Sequence, residues 1–343
     1  MYKMHQRSII LRLAIILPLL SILLLLTSLF SLGVGQGDVG SADAFRAISS
    51  RVVTSIPAPE PQIQQIVLQV RLPRVILGLL VGMLLAVAGV ALQGLLLNPL
   101  ADPYTVGVSS GAALGASIAV VTGMTGWAGG MGVPVAAFVT AMAAMFIVYG
   151  LARGRGKISI HSFLLAGVVV GSFLWSLLTF ILTLAGQDLA TIIYWLLGSL
   201  SSPDPWGYVR MILPFVVIGL GLLVAFARDL NVYSLGDEGA QHLGVDTEAL
   251  KTIMIAITSL ITAAAVSVSG IIGFVGLIIP HITRRLFGSD HRILIPAAAL
   301  LGATLLVLAD TAARTIISSG ELPVGVITAL IGAPFFCCLL KIR

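Results

Sequence analysis

The stretch "RLPRVILGLLVGMLLAVAGVALQGLLLNPLADPYTVGVSSGAALGA" (71–116) decides the fold. Between Arg74 and Asp102 it holds no ionisable side chain. A helical run of that length crosses a hydrocarbon core about 30 Å thick. Its glycines Gly78, Gly82, Gly89 and Gly94 stand four to seven residues apart. Small residues there let helices approach closely, or line a wide passage, and both readings stand. "NPLADPYTVG" (98–107) follows, and its two prolines, Asn98 and Asp102 break the helix. Irregular backbone at membrane depth survives only inside protein or beside a water-filled cavity. A plain turn between two spans is the alternative.

The rest of the chain is of the same kind. It has 343 residues, 58% hydrophobic and 10% charged, with mean hydropathy +1.09. A soluble domain is nearer a quarter charged, so this is an all-α integral membrane protein forming one transmembrane domain over 1–343. Ten apolar segments are expected to span: 9–32, 73–97, 105–123, 133–152, 162–185, 206–227, 250–269, 271–287, 293–311 and 323–340. "SVSGIIG" (267–273) divides two of them, as a tight turn or as the kink of one long helix. Lys3, Arg7 and Arg12 precede a run from Leu13 to Leu32 that is too long for a signal core, so it reads as a retained span. Cys337 and Cys338 are adjacent within an apolar run, a poor arrangement for a disulfide, and no metal-ligand spacing occurs.

The formal charge is +5. Nucleic-acid binding does not follow, because basic residues in membrane proteins gather in cytoplasmic loops. With an even number of spans both termini share a side. Thirteen Lys and Arg fall on that side, Arg155 and Arg343 among them, against six on the other. The termini are therefore expected in the cytoplasm. Residues 33–70 become an outer loop, with "EPQIQQIVLQV" (60–70) able to restart a helix and Pro73 suited to a helix start. Segments 73–185 and 250–340 each hold four spans of opposite orientation, as an inverted repeat requires.

Charged residues near the membrane are few. Asp310 and Arg314 stand one helical turn apart. The scarcity of buried acids argues against ion coupling and for an external energy source. Arg71, Arg74 and Arg314 fall at the outer face, where they either snorkel to lipid phosphate or dock an acidic protein. His281 beside Pro280 reads as a structural residue, and Tyr194, Trp195, Trp206 and Tyr208 as an interfacial belt. "RDLNVYSLGDEGAQHLGVDTEALK" (228–251) is different: it holds 7 charged residues in 24. Asp237 and Glu238 suit a helix N-terminus. Such a short acidic helix makes sense if another protein packs on it; a solvated loop with one helical turn is the alternative.

Several stretches together resemble the FecCD-type permease family, the membrane subunits of type II ABC importers for iron–siderophore complexes, heme and cobalamin. They are 71–116, "WLLGSL" (195–200), "LGDEGAQHLGV" (235–245), "GIIGFVGLIIPHITRRLFGSDHR" (270–292) and "ADTAARTIISSGELPVGVITALIGAPFFCCLL" (309–340). The resemblance implies about ten transmembrane helices with two inverted four-helix halves, a homodimer and two cytoplasmic ATPase subunits. It also implies a periplasmic or lipid-anchored binding protein that delivers a metal chelate. The chain itself would be no enzyme and hold no cofactor, ATP and magnesium belonging to the ATPase; it has no GxxxxGK[ST] loop. By the same resemblance Leu235, Gly236, Asp237, Glu238, Ala240, Leu243 and Gly244 form the coupling surface for the ATPase. Asp237 stands where many relatives carry Glu. Arg71, Arg74 and Arg314 would pair with carboxylates of the binding protein, Asp310 orienting Arg314. Asn98, Pro99, Gly107, Ser109, Ser110 and Gly111 would lie near the passage, and the 33–64 insertion carries no role over. A ferric siderophore is the expected cargo, heme or cobalamin the alternatives. An ion-coupled carrier and an assembly protein are the readings from other classes.

Overall fold

The structure, a computed structural model, describes residues 2–35, 40–52, 57–154, 157–317 and 320–342. Arg155 and Arg343, and 36–39 and 53–56 of the outer insertion, lie outside the described residues. Each of the ten apolar segments falls on a helix: α1 (Tyr2–Gly33), α4 (Leu72–Leu95), α5 (Val108–Val121), α6 (Gly132–Ala152), α7 (Ile160–Leu184), α9 (Pro205–Ala225), α12 (Thr247–Ser269), α13 (Val275–Phe287), α14 (His291–Thr315) and α15 (Val324–Ile342). Between them lie the short helices α2 (Ser41–Val52), α3 (Pro61–Gln65), α8 (Leu189–Leu196), α10 (Ala227–Tyr233) and α11 (Asp237–His242). Among the described residues seven helices are long and apolar enough to cross a membrane; α5, α13 and α15 are shorter.

α4 is the axis of the bundle. Its apolar stretch is 83% buried, against 17% for α1 at the periphery. It packs against α9, α12, α13 and α14. Its glycines make that possible. A Cβ on Gly82 would overlap the Gly302 carbonyl of α14, and one on Gly89 the Gly276 carbonyl of α13. Here the glycines serve close packing of helices. Gly89→Leu is therefore expected to force α13 off α4 and to cost at least about 1–3 kcal/mol, the usual range for overpacking. A thermal unfolding midpoint equal to wild type would contradict this.

Two expectations need correction. The outer loop ends before residue 70, because the 60–70 stretch does restart a helix, as expected. Helix begins at Pro61 and continues through a π-helical turn, Ile66–Arg71, into α4, giving 35 residues without a break. Pro73 therefore starts nothing. Proline has no N–H to donate and its ring crowds the carbonyl four residues back, and the wider π turn stands where that conflict falls. Nor is the insertion bare loop: α2 buries Ala44 and Ala47 against Leu32, Val67, Val75 and Val307. The "SVSGIIG" alternatives resolve as a break. α12 ends at Ser269, and Gly270 (φ 66°) and Phe274 (φ 68°) turn the chain before α13.

The helices alternate between two ends. At one, Arg314 of α14 meets Ser31 of α1, and Trp206 of α9 donates to the Leu68 carbonyl at 3.0 Å. At the other lie α10, α11 and the α13–α14 corner, and a small hairpin, β1 (Arg153–Gly154) with β2 (Lys157–Ile158). The first is called the arginine end below, the second the platform end.

Candidate functional site

The platform is built from the segment that stood out by its charge. α9 ends at Ala225, α10 follows directly, and Gly236 (φ 95°, ψ 167°) opens α11. That backbone region is open almost only to glycine. At the far end the Val245 N–H donates to the Ala240 carbonyl (3.1 Å) and the Gly244 N–H to the Gln241 carbonyl (2.9 Å). This is the paired C-terminal closure that needs a left-handed residue, and Gly244 (φ 85°) supplies it.

α11 is tied down on its inner side. Ala240 is fully buried. Lys251 of α12 donates to Asp237 Oδ2 at 2.6 Å and to Glu248 Oε1 at 2.9 Å. Glu248 also accepts the Ile158 N–H of the hairpin at 2.9 Å. α10 is joined to the α13–α14 corner through Asn231. Its Nδ2 donates to Asp290 Oδ1 (2.7 Å), and its Oδ1 accepts the His291 N–H (2.8 Å). α11 is thus tied to α12 through Lys251, and α10 to α14 through Asn231. What projects is apolar: Leu235 is 66% exposed and Leu243 63%, with Glu238 beside them. Of the residues named from sequence, Leu235, Glu238 and Leu243 are outward, Asp237 and Ala240 are anchors, and the two glycines shape the turn. Lys251, Glu248 and Asn231 were missed as tethers; their partners are set by folding, not by spacing.

The electrostatics fix the pH behaviour of this end. Partial burial works against the charge on Asp237, yet hydrogen bonds from Lys251 and Thr247 hold its carboxyl below the ordinary value. Burial likewise opposes the Asp290 charge, but Arg292 and Asn231 bring it down to about 2. A depressed carboxylate contributes stability that is present above its unfolded pKa of about 3.9 and lost as pH falls through the folded value. Amide exchange in α11 is expected to stay slow at neutral pH and to quicken only below the ordinary carboxylate range. Loss of protection near neutral pH would contradict the tether.

The arginine end holds the three expected docking residues inside the chain. Arg71, Arg74 and Arg314 are 4%, 8% and 4% exposed. Arg74 grips Asp310 with Nε and Nη2 (2.9–3.1 Å) and Glu321 with Nη1 (2.8 Å). Arg314 Nε lies 3.1 Å from the same Asp310, an ion pair one helical turn apart. Arg314 also donates to the Ser31 hydroxyl (2.8 Å), and Arg71 to the Leu32 carbonyl (2.9 Å). These acceptors sit at the C-terminus of α1, where carbonyls lack helical partners and favour cations. The chain beyond α1 covers them: a Cβ on Gly35 would lie 3.2 Å from Arg314 and 3.3 Å from Arg71. The three guanidiniums are internal, not a free surface.

The passage candidates separate. Gly107 and Ser110 line an open groove of about 520 Å³ with Tyr104, Gly167, Gly171 and Ser172. Behind it the segment after α4 folds back into the bundle. The Tyr104 hydroxyl donates to the Ile272 carbonyl (2.9 Å), and Pro103 lies against Gly276, the partner of α4's Gly89. "NPLADP" thus breaks the helix in two parts: Asn98, Pro99 and Leu100 make an exposed turn, and Ala101 and Pro103 are buried in protein. Asn98 and Pro99 are exposed at the platform end and do not reach the groove. Ser109 bonds the Tyr104 carbonyl at 3.4 Å. Gly111 is a packing residue, where a Cβ would meet Ala144 and the Thr140 carbonyl at 2.8 Å. The α7 wall was missed. Its signal was present: Gly167 and Gly171, then Ser172 and Ser176, repeat at four.

Comparison with known proteins gives the following. The FecCD transport family model matches residues 23–342. The ABC transporter permease protein YvrB of Bacillus subtilis (strain 168) is 48% identical over 288 residues, covering 83% of this chain and 81% of its own. The cobalamin import system permease protein BtuC of Halobacterium salinarum is 47% identical, over 82% of this chain and 74% of its own. Permeases named for hemin transport in Yersinia pestis and for Fe(3+)-citrate import in Bacillus subtilis are 37% and 36% identical, each over 94% of this chain. A solved metal-chelate type ABC transporter in an inward-facing conformation superimposes with TM-score 0.82 at 32% identity, covering 96% of this chain and 99% of that one.

Proposed function

Because the chain belongs to the FecCD transport family of ABC transporter permeases, we propose that it carries a bulky metal chelate inward across the cytoplasmic membrane of a prokaryote. It is a transport subunit and no enzyme; ATP hydrolysis resides in a separate subunit of such systems. Two ATPases, with their ATP and magnesium, seat on the platform end, which places both termini in the cytoplasm. A binding protein delivers cargo at the arginine end. With its three arginines internal, docking there uses the surrounding rim over a positive interior. A second copy of the chain faces the α7 groove and completes the passage. A ferric siderophore is the first cargo; cobalamin is the second, favoured by the 47% identity to a cobalamin permease.

The observation that carries this reading is α11 itself. A helix too short to stand alone is braced from behind by Lys251 and presents two bare leucines outward. Exposed leucines rimmed by charge mark a protein contact. Leu235→Asp with Leu243→Asp should leave the chain folded in the membrane and abolish co-purification of its ATPase. Undiminished co-purification would remove α11 from the contact.

A further inference from the structure

A second groove, of about 350 Å³, runs between α6 and α12 and is separate from the α7 passage wall. Met142, Phe146 and Tyr149 form one side, and Thr252, Ala256 and Leu260 the other. The hydroxyls beside it are turned to their own helix: Thr252 donates to the Glu248 carbonyl (2.9 Å) and Ser259 to the Ile255 carbonyl (2.6 Å). The walls are accordingly apolar. From Thr252 to Leu260 the groove follows α12 for ~12 Å at 1.5 Å per residue. One leaflet of hydrocarbon is about 15 Å deep.

The platform end of this groove carries charge. The Arg153 guanidinium lies 6.0 Å over the Tyr149 ring that lines the groove, and both Arg153 and Lys157 are exposed. The hairpin that holds them is fastened to the first turn of α12 by the Ile158 N–H to Glu248 bond of 2.9 Å. The nearby carboxylates, Asp237 and Glu248, both close on Lys251, and Lys157 also acts on the Asp237 charge. Arg153, Lys157 and Lys251 against Asp237 and Glu248 leave this end of an apolar, leaflet-deep slot with a net positive charge, and Arg153 stands at its mouth.

We propose that this groove binds an anionic phospholipid, its acyl chain between α6 and α12 and its phosphate against Arg153 and Lys157. A zwitterionic lipid offers the same chain without net charge, so the site selects by headgroup. Each basic residue near an anionic lipid surface is worth about fivefold in preference.

The test uses the full chain purified in mixed micelles of phosphatidylglycerol and phosphatidylcholine, with retained lipid counted by native mass spectrometry. Wild type should keep phosphatidylglycerol over phosphatidylcholine. Arg153→Glu with Lys157→Glu should cut that preference by at least about tenfold, two surface charges being reversed. Ala256→Phe fills the slot from an exposed position and should lower retention of both lipids. Arg228→Glu, an exposed charge at the same end and away from the groove, should change neither. Equal retention of the two lipids by wild type would overturn the proposal. So would a preference that survives the double reversal, or one that Arg228→Glu reduces as much. The surface reversals carry the test even if Ala256→Phe fails to fold.

Discussion

Asp310→Ala is expected to destabilise the protein by about 3–5 kcal/mol, the range for removing one member of a buried ion pair. Asp310 is 2% exposed and is shared by Arg74 and Arg314. Its loss leaves Arg314 buried without its directly paired carboxylate, with Arg71 nearby in the same cluster under Gly35. Arg74 keeps Glu321, whose side chain is 31% exposed and so is the weaker partner. The lesion falls where α14, α4 and the end of α1 are fastened together, so α1 should loosen as well. The check is thermal unfolding in detergent, with protease access to 31–35 as the local readout. Asp310→Ala combined with Arg314→Met should recover much of the loss, because an apolar replacement of both partners avoids the stranded charge. A single variant as stable as wild type would mean that the cluster is not the fastening described.

That cluster marks the boundary of what the amino-acid order reveals. Hydropathy places ten helices because an apolar run long enough to span has few other fates. Arg71, Arg74 and Arg314 look like surface charges for the same reason: they stand at span ends. Only the fold brings Asp310 and Glu321, 236 and 247 residues away in sequence, onto Arg74. The family resemblance likewise gave Gly111 to the passage and left out Gly167 and Gly171, although all are small residues on apolar helices. The structure separates them by place: Gly167 and Gly171 line the groove and Gly111 does not. The platform was the most legible part. Charge density, acids at a helix N-terminus and bracketing glycines are local signals, and α11 lies where they put it. Its anchor Lys251 was visible only as one more positive charge.

The second large effect is expected at Gly244. A β-branched residue at φ 85° is held in a region it rarely enters, at a cost of about 1–3 kcal/mol. The turn that closes α11 should open, and with it the alignment of Leu235 and Leu243. Gly244→Val is expected to lower uptake at least about tenfold, the equivalent of roughly 1.4 kcal/mol, while ATP hydrolysis by the assembled complex continues. Gly239→Ala is the control. It lies within α11 at ordinary helical angles, where an added Cβ meets Leu235 at 3.4 Å, an ordinary contact. It should transport normally. Normal transport by Gly244→Val would break the link between α11 and coupling.

The most direct measurement is uptake of labelled ferric siderophore, heme and cobalamin by cells with and without this chain. Each is followed with ATP depleted and, separately, with the proton gradient collapsed while ATP is maintained. An ATP-driven importer predicts chain-dependent uptake of one of these ligands that stops without ATP and persists without the gradient. Uptake that survives ATP depletion and stops with the gradient would contradict it.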